Sequence, residues 1–251
     1  MNKAFYTGAS GLRAYQTGID IIGHNISNSQ TTGFKATKPE FRELINSNMD
    51  VNKNRELADN EKIKEGNGVR MWHDDLNFTQ GNFNATDYPL DFLIAGDGFF
   101  ALRNDDGTIE YTRNGSFDVS IEGENAAFLV NADGKYVLDQ LNQPIQLDYI
   151  PETRSIDVEK VKPRLGVFSF TNPNGLTRTD GGSFLVSNNS GAPENADPGK
   201  YTLYQGSLES SNVQLSQEMT NLIIAQRSYQ FATKVVTTSD EIEQLVNSLR
   251  G

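Results

Sequence analysis

The sequence predicts an α+β chain: long N- and C-terminal helices pairing as a coiled-coil-like domain, with a mainly antiparallel all-β middle domain. Three observations predict it. Apolar residues recur every seven residues at both ends, the spacing of a helix stripe that meets another helix. Over about 90–190, short apolar runs alternate with Gly, Asn and Asp turns, the pattern of antiparallel strands. No Pro or Gly interrupts residues 212–250, so the second helix reads as one rod.

In the first helix Phe5, Leu12, Ile19 and Ile26 repeat every seven, and Tyr15 and Ile22 fill a second seam position. Gly8, Gly11, Gly18 and Gly23 lie inside the same helix, each costing about 1 kcal/mol against Ala. Such a helix needs packing to hold it, and its glycines also let another helix approach closely. The stretch 24–35, HNISNSQTTGFK, is rich in capping and turn residues, so the helix ends near Ser29.

Residues 36–89 are polar and read as an extended arm or connector, with 46–60 a long loop. Runs 90–95 and 99–103 flank Gly96-Asp97-Gly98. Asp106-Gly107 closes a hairpin between 99–103 and 108–113, and Asp133-Gly134 does so between 128–130 and 135–138. Runs 146–149, 155–158, 165–171 and 183–186 supply further strands. Residues 191–207 form a connector, and pieces near 69–78 and 201–204 can join the 90–190 β-domain.

The C-terminal stripe is Leu208, Leu215, Leu222, Tyr229 and Val236, with Ala225, Ala232 and Ser239 beside it. It drifts to Ile242, Val246 and Leu249, as a nearly straight helix requires. Ser211 and Gln214 fit a capping box. About 38 residues at 1.5 Å each make a rod of roughly 57 Å. Residues 1–35 and 208–251 thus form one helical domain. Its stripes have two uses: a clasp within one chain, or packing into neighbouring subunits. In the second, Phe5, Leu12, Tyr15, Ile19, Ile22 and Ile26 join the C-terminal stripe as a subunit interface.

The chain has 251 residues and a net charge of −11. Acidity argues against a nucleic-acid or anionic-membrane partner. Without cysteine there is no disulfide framework or thiolate metal site. The start, MNKAFYTGASGLRAYQ, lacks the apolar core of a Sec signal peptide, and no stretch approaches the length of a membrane span. By these tests alone the protein is cytoplasmic. No phosphate-binding loop, nucleophile elbow, zinc-protease or C-x-x-C motif occurs. The histidines are His24 and His73, and His24 has no acid beside it. Asp74-Asp75 and Asp105-Asp106 read as turns, as does Asn131-Ala132-Asp133-Gly134, which lacks the downstream Glu of a calcium loop. No catalytic residue, cofactor or metal is expected. Two other classes stand beside a self-assembling protein. One is a monomeric adhesin or carbohydrate-binding β-protein with a helical clasp. The other is a hydrolase, whose paired acids need no fixed spacing.

Four stretches carry a resemblance to the bacterial flagellar rod and hook axial proteins. Residues 25–35 (NISNSQTTGFK) are similar to the family's N-terminal signature, at Asn25, Asn28, Thr32, Gly33, Phe34 and Lys35. Residues 91–100 (DFLIAGDGFF) and 111–117 (YTRNGSF) resemble the opening of its β-domain, at Gly96, Gly98, Phe99, Phe100, Tyr111, Thr112 and Arg113. Residues 170–176 (FTNPNGL), with Ser190-Gly191 and Gln205-Gly206, look like that domain's end. Residues 206–249 resemble the C-terminal helix signature, including Ser211, Asn212, Val213, Gln226 and Arg227. Phe231-Ala232 and Phe92-Leu93-Ile94 depart from the family's usual residues.

The resemblance implies a subunit of a hollow helical structure that transmits torque. Terminal helices line the axial channel and the β-domain lies outside them. It also implies export without a Sec signal through the flagellar type III apparatus, to the basal body beyond the cytoplasmic membrane. Implied partners are further copies, neighbouring rod and hook proteins and the export apparatus, with no cofactor, nucleic acid or membrane insertion. The length suits a rod subunit better than a hook subunit. Distal rod, proximal rod, hook and rod-like paralogue stay open.

Overall fold

The computed structural model describes residues 3–44, 47–48, 64–122, 126–147, 149–150, 155–156 and 160–249. It is α+β, with one helix near each end and antiparallel strands between them. The chain divides into two compact units. One combines Met1–Ser27, Thr37–Asp75 and Gln214–Gly251; the other combines Asn28–Ala36 with Leu76–Val213. The loop read at 46–60 lies almost wholly outside the described residues, as do the side chains of His73 and Asp74.

The β unit is built on a sheet that, among the described residues, has ten strands. Phe99–Arg103 is central, pairing with Ile109–Thr112, Tyr136–Val137 and Val167–Ser169. Its side chains alternate between two cores, as the period of two in a strand requires. Phe100 and Leu102 join Phe92, Phe117, Leu129 and Leu165. Phe99 and Ala101 join Tyr111, Phe168, Phe170 and Phe184. Both faces are covered, so the central strand reads as a continuous apolar run. The Asp106-Gly107 turn forms as expected: Gly107 has φ +84° and its N–H donates to the Asn104 carbonyl at 3.0 Å. Asp133-Gly134 is likewise a turn, with Gly134 at φ +81°.

Glu110 on this hairpin is buried and accepts from Lys135 Nζ at 2.6 Å and Asn104 Nδ2 at 2.7 Å. Burial pushes its pKa up, but the hydrogen bonds from Lys135 and Asn104 and the lysine's charge outweigh it and hold the pKa below 4.5. Exposed Asp106 is also held low, chiefly by the Thr108 hydroxyl. A carboxylate depressed in the folded state stabilises above its unfolded pKa and loses that contribution as pH falls through the folded one. The urea midpoint should therefore fall between pH 5 and pH 3, and less steeply in Glu110→Gln. Equal slopes in the two proteins would remove Glu110 from the account.

In the other unit, α1 runs Lys3–Ser27 and α2 runs Leu215–Ser248. Thr37–Glu43 and Val69–Leu76 pair as two strands, so the expected arm over 36–89 contains ordered β-structure. Phe41 lies against Gly18 of α1, and the rings of Tyr15 and Phe41 are 5.7 Å apart.

Two C-terminal expectations are corrected. Leu208 is not helical: Ser207–Glu209 is a strand paired with Phe83–Ala85. Gly206 at φ +70° turns the chain there, and ladder bonding overrides a heptad coincidence. The capping box does not form either. Gln214 is the N-cap without a side-chain bond, and Ser211 Oγ accepts from the Val213 N–H at 3.3 Å instead. α2 is thus 34 residues long, about 51 Å.

Candidate assembly interface

Of the large apolar residues expected on the α1 stripe, Ile22 alone is buried, and small residues make up most of the buried face. The buried positions are Gly8, Gly11, Ala14, Gly18, Ile22 and Asn25, spaced three or four apart. Gly8 lies where a Cβ would stand 2.8 Å from Val236 Cγ2, and Gly11 where it would stand 3.6 Å from Ala232 Cβ. The glycines therefore give α2 room, and the two helices run antiparallel at this contact. Phe5 is exposed and Leu12, Tyr15, Ile19 and Ile26 are half-buried. On α2, Leu222, Tyr229 and Val236 are half-buried while Ala225 and Ser239 are buried.

A second row on α2 faces outward, with Val235 at its edge also touching α1 beside Gly8. Ile223, Ile224, Phe231, Val235, Ile242, Leu245, Val246 and Leu249 are exposed. At about 100° per residue they fall within an arc of roughly 140°. Leu215 and Met219 are exposed on another side. Sequence periodicity found the inner stripe of α2 and, where that stripe drifts, Ile242, Val246 and Leu249 of the outer row; it missed Ile223, Ile224, Phe231, Val235 and Leu245, whose spacing is not heptad. Gln226 and Arg227 are exposed, and Arg227 donates to Gln230 at 3.2 Å.

The remaining signature residues are explained by burial. Asn25 donates to the Thr37 carbonyl at 2.8 Å and accepts from the Thr37 N–H at 3.0 Å, so its amide serves as a strand partner. Asn28 and Thr31 form the turn that follows, and Thr32 is half-buried. Gly33 has φ +68° and lies where a Cβ would stand 2.5 Å from Asn114 N. No side chain fits there. Phe34 lies beneath the Arg178 guanidinium at 4.4 Å, and Arg178 also donates to the Lys35 carbonyl.

Lys35 is 1% exposed, with Nζ 2.6 Å from Glu209 Oε1 and donating to the Thr79 carbonyl at 2.9 Å. Gly81 N–H donates to the same carboxylate oxygen at 2.8 Å. Arg113 Nη1 lies 3.6 Å from Glu209 Oε2, with its guanidinium 5.2 Å from the Phe99 ring. Burial pushes the Lys35 pKa down, Glu209 resists this, and Arg113 adds to the fall. Asn212 accepts from Ala36 N–H at 2.7 Å and donates to Asn77 O at 2.7 Å. Gly96 and Gly98 take φ +108° and +150°, with Gly96 N–H held by Gln80. Phe99, Phe100, Tyr111 and Thr112 are buried. Glu209, Arg178 and Gln80 were not singled out from the sequence, where each is a lone polar residue far from its partner.

This cluster is a fastening. Its cations and carboxylate are sealed from solvent, and among the described residues no group of three or more acids or histidines could hold a metal.

The comparisons with known proteins cover both ends of the chain and its middle. The family described as flagella basal body rod protein matches residues 5–35. The flagellar hook protein FlgE/F/G D1 domain matches 93–161, and the flagellar basal body rod FlgEFG protein C-terminal family matches 204–249. The chain is 32% identical over 269 residues to the flagellar basal-body rod protein FlgG of Bacillus subtilis, covering 100% of both. It is 33% identical over 273 residues to FlgG of Borreliella burgdorferi, covering 100% of this chain and 99% of that protein. It is 33% identical over 272 residues to the flagellar hook-basal body complex protein FlhP of Bacillus subtilis, covering 100% of both. With full-length relatives at this identity and family matches at both ends and in the middle, the chain belongs to the flagellar basal-body rod and hook protein family.

Proposed function

We propose that the chain is a structural subunit of the flagellar rod that polymerises with copies of itself through α2. The observation carrying this reading is the outward row of apolar residues, Ile223 to Leu249, left exposed on a helix whose opposite side already meets α1. Burying it stabilises by about 25 cal/mol per Å² of apolar surface. A contact between unlike faces of identical chains, with a rotation that does not close, builds a helix. In this reading α1 and α2 act as a coiled-coil-like pair within each copy, and the β unit forms the outer layer. Many identical buried contacts make the structure stiff enough to transmit torque. Neighbouring rod and hook proteins are the partners at its ends.

The subunit reaches the rod through the flagellar type III apparatus as an unfolded chain. The four glycines of α1 make it marginal until packed, which suits that passage. Among the described residues no helix is long and apolar enough to cross a membrane. The chain has no catalytic part in this reading.

Cryo-electron microscopy of intact basal bodies from cells carrying the chain with an epitope tag in the β unit tests it. Tag density along the rod, and rods missing when the chain is removed, are the expected results. Complete rods without the chain would overturn the reading.

A further inference from the structure

On the strand pair beside α1, Trp72 is 47% exposed and has two guanidiniums against its ring. Arg42 Cζ lies 4.7 Å and Arg70 Cζ 4.2 Å from the ring centroid. Cation–π attraction favours each contact, but gathering two like charges at one ring invites an anion. Among the described residues neither guanidinium has an ion pair. This is a cationic, aromatic patch on a chain whose net charge is −11.

The far end of α2 has the opposite character. Every described residue from 240 to 249 is exposed. Gly8 of α1 faces Val236, so α2 runs on past the start of α1. Asp240 and Glu241 lie level with the first residues of α1 and Glu243 falls in the overhang, and no Lys or Arg occurs between Lys234 and Arg250. The last turn carries no basic residue. The carboxylates therefore add to the negative end of the helix dipole instead of offsetting it. Leu245 is exposed beside them.

The two surfaces cannot meet in one copy. Phe41 of the strand pair contacts α1 at Gly18, and Gly11 faces Ala232, so the patch lies level with about residue 225 of α2. From there Asp240 is about 15 residues further along a continuous helix, roughly 22 Å.

We propose that the Arg42–Trp72–Arg70 patch of one copy receives the exposed acidic end of α2 from a neighbouring copy, with Asp240 and Glu241 meeting the guanidiniums and Leu245 the indole. This rests on the self-assembly reading and adds to it a charged contact that fixes the axial stagger between copies. Opposite charges across an interface set register and partner choice more than bulk affinity.

The chain has no cysteine, so introduced thiols report contacts cleanly. Purified full-length Arg70→Cys chain is mixed with differently tagged Glu241→Cys chain, allowed to polymerise, and oxidised. Mixed disulfide dimers should exceed like-with-like dimers about tenfold. In parallel, Arg42→Glu/Arg70→Glu should raise the concentration at which the chain pellets as polymer by about tenfold. Adding Asp240→Lys/Glu241→Lys to the same chain should restore it. Normal pelleting of the double-Glu chain, with no excess of mixed dimers, overturns the inference and leaves the rod reading intact. Lost pelleting without rescue by the charge swap also overturns it, since the anion is then not α2. If the unaltered chain never pellets at any concentration, self-assembly and this contact fall together.

Discussion

Replacing Lys35 with Met is expected to destabilise the β unit by about 3–5 kcal/mol. The substitution leaves the Glu209 carboxylate, 1% exposed, with Gly81 N–H as its remaining hydrogen-bond donor and Arg113 at 3.6 Å. It also removes the donor to Thr79 O. A buried charge without its partner costs far more than the pair was worth. The β unit's thermal midpoint should drop by about 10 °C in calorimetry of the full chain. Adding Glu209→Met should recover most of the loss, because an apolar pair needs no counter-charge. Glu209→Gln tests the other side. It strips from Lys35 the interaction that resists its burial-lowered pKa. A lysine whose folded pKa lies below 10.5 binds more protons when unfolded, so stability climbs as pH rises from the folded pKa towards 10.5. Glu209→Gln should therefore be more stable at pH 10 than at pH 7, relative to the unaltered chain. A Lys35→Met protein that melts with the parent would show that the pair does not fasten the β unit.

The reach of the sequence is clearest in the central hairpin. Phe99–Arg103 and its Asp-Gly turn were legible because both signals are local: an apolar run and a residue that accepts positive φ. Leu208 misled for the converse reason. It sits seven residues before Leu215, and periodicity alone has no term for the strand Phe83–Ala85 that claims it. The Lys35–Glu209 pair was invisible because its members lie 174 residues apart. Glu209 reads singly as an ordinary surface charge, and Lys35, though part of the N-terminal signature, carries no sign of its partner. The helix pairing was legible in part. Seven-residue repeats located α1 and α2, yet the residues that let them touch are Gly8 and Gly11, which hydrophobic patterning scores as gaps. Small residues at a close crossing carry no apolar signal, so the seam appeared to lie along Phe5 and Leu12, which the structure leaves exposed or half-buried.

The outward row of α2 predicts the second large effect. Ile223→Glu should abolish polymerisation while leaving the helix and the β unit folded. Ile223 is 59% exposed in the single chain, so a carboxylate there costs the isolated copy little. At a buried contact between copies the same change forfeits about 1.5–3 kcal/mol of apolar burial. It adds the penalty of desolvating a charge, several kcal/mol more. Each 1.4 kcal/mol is tenfold in affinity, so the pelleting concentration should rise more than a thousandfold, out of reach in practice. Phe231→Glu, on the same row and 65% exposed, should behave alike. Leu222→Glu is the instructive contrast. Leu222 is half-buried on the side of α2 that bears buried Ala225 and Ser239, so its replacement should loosen the α1–α2 contact first. Circular dichroism should then show reduced helix in the monomer, which Ile223→Glu should not. Far-UV spectra and sedimentation of the purified chains separate the two. If Ile223→Glu and Phe231→Glu pellet like the parent while Leu222→Glu alone fails with its helix intact, copies join through the inner stripe and the outward row has no part in assembly.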